Sequence, residues 1–350
     1  MRILVAGDVH WSEFSSILRR MGNKYSKRLE NLISSVNWVE EQAKKLCVEK
    51  IVYAGDFFDK PNLNANEITA LQEIVWTDIP HVFIVGNHEG LNSSLSISST
   101  HYFKNKPNFE VISEPTMEVG FGYELLYLPY IIEKERKPLR YYIDNLRTGD
   151  FCTQEVKYIY IISHNDIKMN YGKMESTNGF DPDDIDRNCS LFINGHIHSA
   201  STFANVGVNV GNLTGQNFSE DATKYTHGIL VLDTRQETYY GLENPYAYNF
   251  YKYSVSSLED FHKFESDLKN NSVLTIKVPD NLVAVVREEL EKNKKVAEYR
   301  VISMVSQSTK EEMKDTKIEA VNHLEEFVEF VSEKMEVTQA VKEELSNICR

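Results

Sequence analysis

Residues 2–10 read RILVAGDVH: a short apolar run, then a glycine and an aspartate, then a histidine two places further on. An apolar run closed by glycine and then Asp or Asn returns at residues 51–59 (IVYAGDFFD) and again at 82–89 (VFIVGNHE). Two more apolar runs, 158–162 and 191–193, lead into His164-Asn165 and into Gly195-His196-Ile197-His198. Short apolar runs closed by glycine read as buried strands. Between them lie helix-type spacings. Leu29, Ile33, Val36, Val39, Ala43 and Leu46 mark one helix, and residues 64–76 a second. Strands alternating with helices predict an α/β layered fold.

The pattern changes further along. Residues 202–240 are strand-rich, with the runs TFANVGVNVGN, HGILVLDT and ETYYGL. The aromatic turn NPYAYN, 244–249, marks a candidate boundary, so residues 1–245 form one expected domain. Residues 250–305 predict a small α+β module, with helices at 258–268 and 281–292 and strands at 273–278 and 299–305. Residues 306–317 are polar and charged and read as a linker. Residues 318–350 predict an amphipathic helix carrying Val321, Leu324, Val328, Val331 and Met335. A second helix, capped by Thr338, carries Val341, Leu345 and Ile348.

Bulk properties bound the function. The chain has 350 residues, 41% hydrophobic and 26% charged, enough for a sizeable core and an appended module. No apolar run approaches the roughly 20 residues of a membrane helix, and the N-terminus lacks the long apolar region of a signal peptide. A cytoplasmic protein is expected, with no membrane partner. Cys47, Cys152, Cys189 and Cys349 form no CxxC pair, so neither a disulfide framework nor a zinc knuckle is expected. The net charge of −14 argues against coating nucleic acid by bulk charge. It leaves room for an enzyme whose site is locally positive.

The motifs supply that site. Ligands of α/β sheets bind beyond the carboxyl ends of the strands, so these strand ends can converge although far apart in sequence. A lone HxH is most often a surface pair, and a lone Gly-Asp a turn. All the motifs in order carry much more weight. Mixed imidazole and carboxylate suits Mn, Fe or Zn better than Mg or Ca. Asp8, His10, Asp56 and His198 could hold one ion. Asp56, Asn87, His164 and His196 could hold a second, with Asp56 bridging. Two divalent ions against two carboxylates leave the site near +2, which favours a phosphodiester. Replacing Asn87 with Asp is expected to weaken that attraction. His88 follows a ligand and so points elsewhere; it is the candidate to stabilise developing charge or to protonate the leaving oxygen. Glu89 and Asp59 are candidates to orient it or to meet substrate. His81, His101, His227, His262 and His323 fall outside the pattern and read as ordinary histidines, His227 least securely.

The ordered set GDVH, GDFFD, GNHE, a strand-end His and GHIH resembles the calcineurin-like metallophosphoesterase superfamily over about residues 1–240. The resemblance implies a two-sheet α/β sandwich and the ligand roles given above. Within that superfamily the chain looks most like the SbcD-type nuclease subunits of DNA break repair, including phage relatives. Such a protein would be a 3′–5′ double-strand exonuclease and single-strand endonuclease, with Mn²⁺ as the expected ion. Its small module would cap the DNA, its C-terminal helices (318–350) would dock on an SbcC-type SMC-like ATPase, and it would form a homodimer. The host cell would be bacterial or phage-infected. The sequence departs from that branch in three places. GNHE stands where GNHD is commoner, and Asp59 where some relatives carry a histidine. The third is VGNLTG (210–215), whose counterpart often reads more like a Gly-Ser/Thr-Pro turn.

Two other readings compete. A small-molecule or cyclic-nucleotide phosphodiesterase or phosphatase could use the same two-metal site, although the GDxHG and GDxVDRG of protein phosphatases are missing. An inactive scaffold would have lost ligands, and here every expected ligand is present.

Overall fold

The computed structural model describes residues 1–15, 17, 22–92, 95–147, 158–171, 174–175 and 178–304. The helices expected at 318–350 lie outside the described residues. In chain order the elements are β1 (Arg2–Ala6), α1 (Lys27–Lys45), β2 (Lys50–Ala54), α2 (Ala65–Ala70), β3 (His81–Ile84), β4 (Phe109–Ile112), β5 (Thr116–Gly120) and β6 (Tyr123–Leu128). Then follow α3 (Leu139–Leu146), β7 (Tyr158–Ser163), β8 (Asn170–Tyr171), β9 (Met174–Glu175), α4 (Pro182–Asn188) and β10 (Leu191–Asn194). The strands β11 (Ser201–Phe203), β12 (Gly207–Asn209), β13 (Gly228–Asp233), β14 (Thr238–Glu243) and β15 (Asn249–Ser254) come next. Finally come α5 (Leu258–Ser266), β16 (Ser272–Pro279), α6 (Val283–Lys292) and β17 (Val296–Met304).

Two six-stranded sheets pack face to face, in the orders β14-β13-β1-β2-β3-β4 and β11-β12-β10-β7-β6-β5. The run β1 to β4 is parallel, as is β6-β7-β10-β12. This is the expected two-sheet α/β sandwich.

The strands read as continuous apolar runs because both of their faces are covered. Alternate side chains go to different cores. Leu4, Ala6, Ile51, Tyr53 and Phe83 face α1, while Ile3, Val5, Val52, Ala54, Val82 and Ile84 fill the space between the sheets. On the other sheet, Leu125, Tyr127, Tyr160 and Ile162 point inward. Leu126, Leu128, Ile161 and Phe192 pack on the α3 and α4 side with Leu139 and Ile185.

The helix expected over 64–76 is shorter. α2 starts at an Asn64–Glu67 capping box and ends at Ala70, followed by a single 3-10 turn, Leu71–Glu73. Ile74 is extended, and Trp76 is drawn into the aromatic cluster of Tyr53, Phe57, Phe83 and Phe103. Tertiary packing of an aromatic and β-branched run overrides a weak helical preference. Sequence reading assigned no element to residues 100–147, where β4, β5, β6 and α3 lie.

Residues Met1–Ile302 form one compact unit and Ser303–Arg350 a second. Within the first, β15, β16 and β17 make a three-stranded sheet. α5 and α6 cover it through a core of Phe261, Phe264, Leu274, Ile276, Val286 and Leu290. The turn at 244–249 is a packed joint. Asn244 donates to Ser35 Oγ and to the Leu213 carbonyl, and Tyr248 and Phe250 are buried beside Val273. Among the described residues no helix is long and apolar enough to cross a membrane.

Candidate metal centre

Because β1, β2 and β3 are parallel, their carboxyl ends share one edge, and the same holds for β7 and β10. Gly7-Asp8, Gly55-Asp56, Gly86-Asn87, His164 and Gly195-His196 therefore emerge together. The loops after β1 and β2 are laced by His10 N–H donating to the Asp56 carbonyl (2.9 Å) and Trp11 N–H to the Phe57 carbonyl (2.7 Å).

Two of the glycines are steric requirements. A Cβ on Gly86 would lie 2.1 Å from Asp56 Oδ1. Gly55, at φ +86°, would place one 2.1 Å from His164 Nδ1. The site is too tight there for any side chain. Asp8, His10 and Asp56 themselves have φ of 40°, 48° and 45°. Left-handed backbone costs a non-glycine residue of order 1–3 kcal/mol and clusters at functional sites.

The resulting constellation has two overlapping ends. Asp8, His10 and His198 offer donor atoms within 4.8 Å of one another, and Asp56, His164 and His196 do the same. Asp56 Oδ2 lies 3.9 Å from His10 Nε2 and 3.1 Å from His164 Nε2, so it stands between the two ends. Asn87 Oδ1 is 3.1 Å from His164 Nε2. His88 is also within reach of His10 and Asp56, but its side chain is 45% exposed at the rim.

The polar atoms in this centre call for cations. Asp8 is fully buried, yet neither carboxylate oxygen has a hydrogen-bond partner, and His10 Nε2 is likewise unsatisfied. Such groups are costly to bury. Orphaned acceptors converging on one point fit a divalent ion.

The titration behaviour agrees for His196 and His198, which it keeps neutral, whereas Asp56 favours the charged form of His164. Burial drives the Asp8 carboxyl well above its usual range. Burial opposes ionisation of Asp56 too, but His164 beside it holds its carboxyl below that range. Burial also opposes a charge on His164, which Asp56 overcomes, raising it to about 9. Burial and neighbouring His10 push His198 down to about 4, and burial lowers His196. A neutral imidazole is the metal-binding form.

A model of the calcineurin-like phosphoesterase family matches residues 1–200. The chain belongs to the calcineurin-like phosphoesterase family. It is a metal-dependent phosphoester hydrolase with a candidate dimetal site. Among solved structures it resembles a novel archaeal phosphodiesterase, at 13% identity and a TM-score of 0.34, over 69% of this chain and 99% of that one. It also resembles a dimetal phosphatase from Danio rerio, at 11% identity and a TM-score of 0.40, over 66% and 91%. No curated protein sequence matches the chain.

In this phosphoesterase three of the four candidate imidazole ligands, His164, His10 and His196, are aimed by a partner on the other nitrogen. His164 Nδ1 lies 2.8 Å from the Ala54 carbonyl, which leaves Nε2 for the centre. His10 Nδ1 is 2.8 Å from Asp59 Oδ1. His196 Nε2 is 3.1 Å from Asp166 Oδ1, and Arg136 holds the other oxygen of Asp166 at 3.0 Å. Such outer partners fix tautomer and ring direction. Asp166 and Arg136 escaped the sequence reading. Asp166 sits two places after His164, so a carboxylate in that same turn was the available signal. Nothing local marked Arg136.

Glu89 and Asp59 were both candidates to orient His88. Glu89 is fully buried, with its oxygens accepting from Gly86 N–H (2.7 Å) and Phe58 N–H (3.0 Å). Burial and the Asp56 charge raise it to about 8. It ties the second and third loops together and is spent there. Asp59 meets His88 through its backbone carbonyl, 3.1 Å from Nδ1. His81 pairs with Glu40, and His227 lies 3.2 Å from Glu220.

Proposed function

We propose that this phosphoesterase is a two-metal DNA nuclease of the SbcD type. Asp8, His10, Asp56 and His198 would hold one ion, and Asp56, Asn87, His164 and His196 the other, with Mn²⁺ the ion best suited to this donor set. When bound, the pair would stabilise charge on the phosphoryl oxygens and favour ionisation of the attacking water.

The chain's own groups supply the rest. Asp59, Ala54 and Asp166 hold His10, His164 and His196 in the tautomers that present a lone pair to the centre. The Asp56 carbonyl accepts from His10 N–H and its Oδ1 from His88 N–H, so its carboxylate is held where it would be shared by the two ions. His88, with Nδ1–H donating to the Asp59 carbonyl, would act as the imidazolium, giving its Nε2 proton to the departing oxygen and ending neutral.

The observation that carries the nuclease reading is the placement of His88. It is half exposed beside buried ligands, where a polymer could reach it. The α+β module that follows at residue 249 has the size and order of a DNA-capping domain. Residues 318–350 would dock on an SbcC-type ATPase, and the protein would act as a homodimer.

The test is cleavage with Mn²⁺ of linear duplex DNA, single-stranded circles and an aryl phosphodiester. DNA cleavage abolished by His88→Ala and Asp56→Ala supports the proposal. Hydrolysis of the aryl ester alone would sink it in favour of a small-molecule phosphodiesterase. Unchanged capture of the ATPase after deletion of residues 318–350 would rule out docking through that tail.

A further inference from the structure

Beside the His10 end of the centre lies a cavity of about 140 Å³, walled by His10, Ser12, Phe14, Arg28, Asp59 and Gln216. Two of its walls carry polar groups that the dimetal chemistry does not use.

The first is Arg28, in the opening turn of α1. Its side chain is buried, with the residue only 4% exposed. Its guanidinium donates to Thr214 Oγ (2.6 Å), the Gly215 carbonyl (3.1 Å) and the Val9 carbonyl (3.4 Å). All of these acceptors are neutral. Glu220 and Asp59 act on it at longer range, but both are engaged elsewhere. Glu220 takes His227 and the amides of Gln216 and Asn217, and Asp59 takes His10. Among the described residues, Arg28 has no carboxylate within ion-pair distance. A buried cation without a counter-charge is costly, and removing its partners costs several kcal/mol in measured cases.

The second is Gln216, whose Nε2 is buried without a hydrogen-bond partner. An amide donor and a guanidinium thus border one small cavity, and both lack an anion. At the rim, Phe14 is 74% exposed, an aromatic face of the kind on which bases stack.

We infer that this cavity is a subsite for a second phosphate of the substrate, the one next to the scissile phosphate, bound by Arg28 and Gln216 with its nucleoside against Phe14. The inference rests on the phosphodiesterase reading and narrows it to substrates with consecutive phosphates. Arg28 and Gln216 are then substrate-binding residues, and neither touches the reacting bond. Asp59 also walls the cavity and its charge opposes the anion, an opposition reduced because one carboxylate oxygen is engaged with His10 Nδ1.

The test compares short single-stranded oligonucleotides that differ in one phosphate adjacent to the cleavage point, natural in one and an uncharged methylphosphonate in the other, placed on either side in turn. With the full-length protein and Mn²⁺, neutralising the neighbour on the Arg28 side is expected to lower kcat/KM about tenfold, as for loss of a hydrogen bond to a charged group. Arg28→Met is expected to erase that discrimination, and Gln216→Leu to reduce it. In both variants the loss on the natural oligonucleotide should exceed the loss on an aryl phosphodiester. Equal losses on both substrates, or wild-type discrimination in both variants, would overturn the subsite.

A second measurement does not depend on DNA cleavage. In chelator, inorganic phosphate at matched ionic strength is expected to raise the melting temperature of the wild-type protein and not that of Arg28→Lys or Gln216→Leu. No rise in the wild type overturns the subsite whatever the substrate. A rise together with no oligonucleotide cleavage overturns the nuclease reading and leaves the anion site standing.

Discussion

Asp59 Oδ1 lies 2.8 Å from His10 Nδ1, so a residue from the β2 loop decides which nitrogen of a β1-loop histidine faces the dimetal centre. Carboxylate partners of ligating histidines typically govern metal affinity by about 10- to 100-fold. Asp59→Ala is therefore expected to weaken Mn²⁺ binding by about that factor while Asp59→Asn, which can still accept a hydrogen bond, loses less. Titration of the chelated protein with Mn²⁺ measures it, and equal affinity in all the forms would show that Asp59 does not aim His10.

Asp8 should reverse its effect with metal. Its carboxylate is buried with both oxygens unsatisfied. In chelator, Asp8→Asn is expected to melt at a higher temperature than the wild type, because it removes an uncompensated buried acid. With Mn²⁺ the order should invert. A site at 100 times its Kd adds about 2.7 kcal/mol, which the variant forgoes. A variant that is less stable under both conditions would contradict this account of Asp8.

Gly86 is held at its size by Asp56. An added Cβ would stand 2.1 Å from Asp56 Oδ1. Gly86→Ala is expected to cost about 1–3 kcal/mol, the range for forced overpacking, and to move the Asp56 carboxylate. Urea unfolding and metal titration should fall together. Lost stability with intact metal affinity would mean that Asp56 adapts.

Glu220 offers a pH-dependent test on a residue that is not itself a candidate ligand. Burial opposes its charge, but His227 and the amides around it hold its carboxyl below the usual range. A depressed carboxylate contributes stability above its unfolded pKa and loses it as pH falls through the folded one. Glu220→Gln is expected to cost about 3 kcal/mol near neutrality, as for breaking a buried pair. The deficit should shrink as the pH is lowered through the carboxylate range. Denaturant unfolding across pH measures it, and a deficit that does not change with pH would assign the loss to packing alone.

The sandwich was legible because its strands are buried on both faces and end in glycine. Runs such as 51–54 and 82–85 stand out against the helices between them. The convergence of Asp8, His10, Asp56, Asn87, His164, His196 and His198 was legible for the same reason, since parallel strands deliver their carboxyl ends to one edge. β4, β5 and β6 were not. Phe109–Ile112 and Thr116–Gly120 are only partly buried and lack a clean apolar run. Trp76 shows the opposite failure: a helical pattern reached too far because the aromatic cluster that captured it is assembled from distant residues.

By itself, the amino-acid sequence determined which donor types stand at the strand ends, and so the class of chemistry, because strand, turn and ligand are written within a few neighbouring residues. Tertiary structure alone decided how those donors point. The Ala54 carbonyl aims His164 across 110 residues, Asp59 aims His10 across 49, and Glu89 turns away from His88 to brace the backbone. Arg28 meets Thr214 across 186 residues, and only that meeting shows it to be a buried cation without an anion. Hydrogen-bond partners and burial depend on distance in space, which local sequence does not encode.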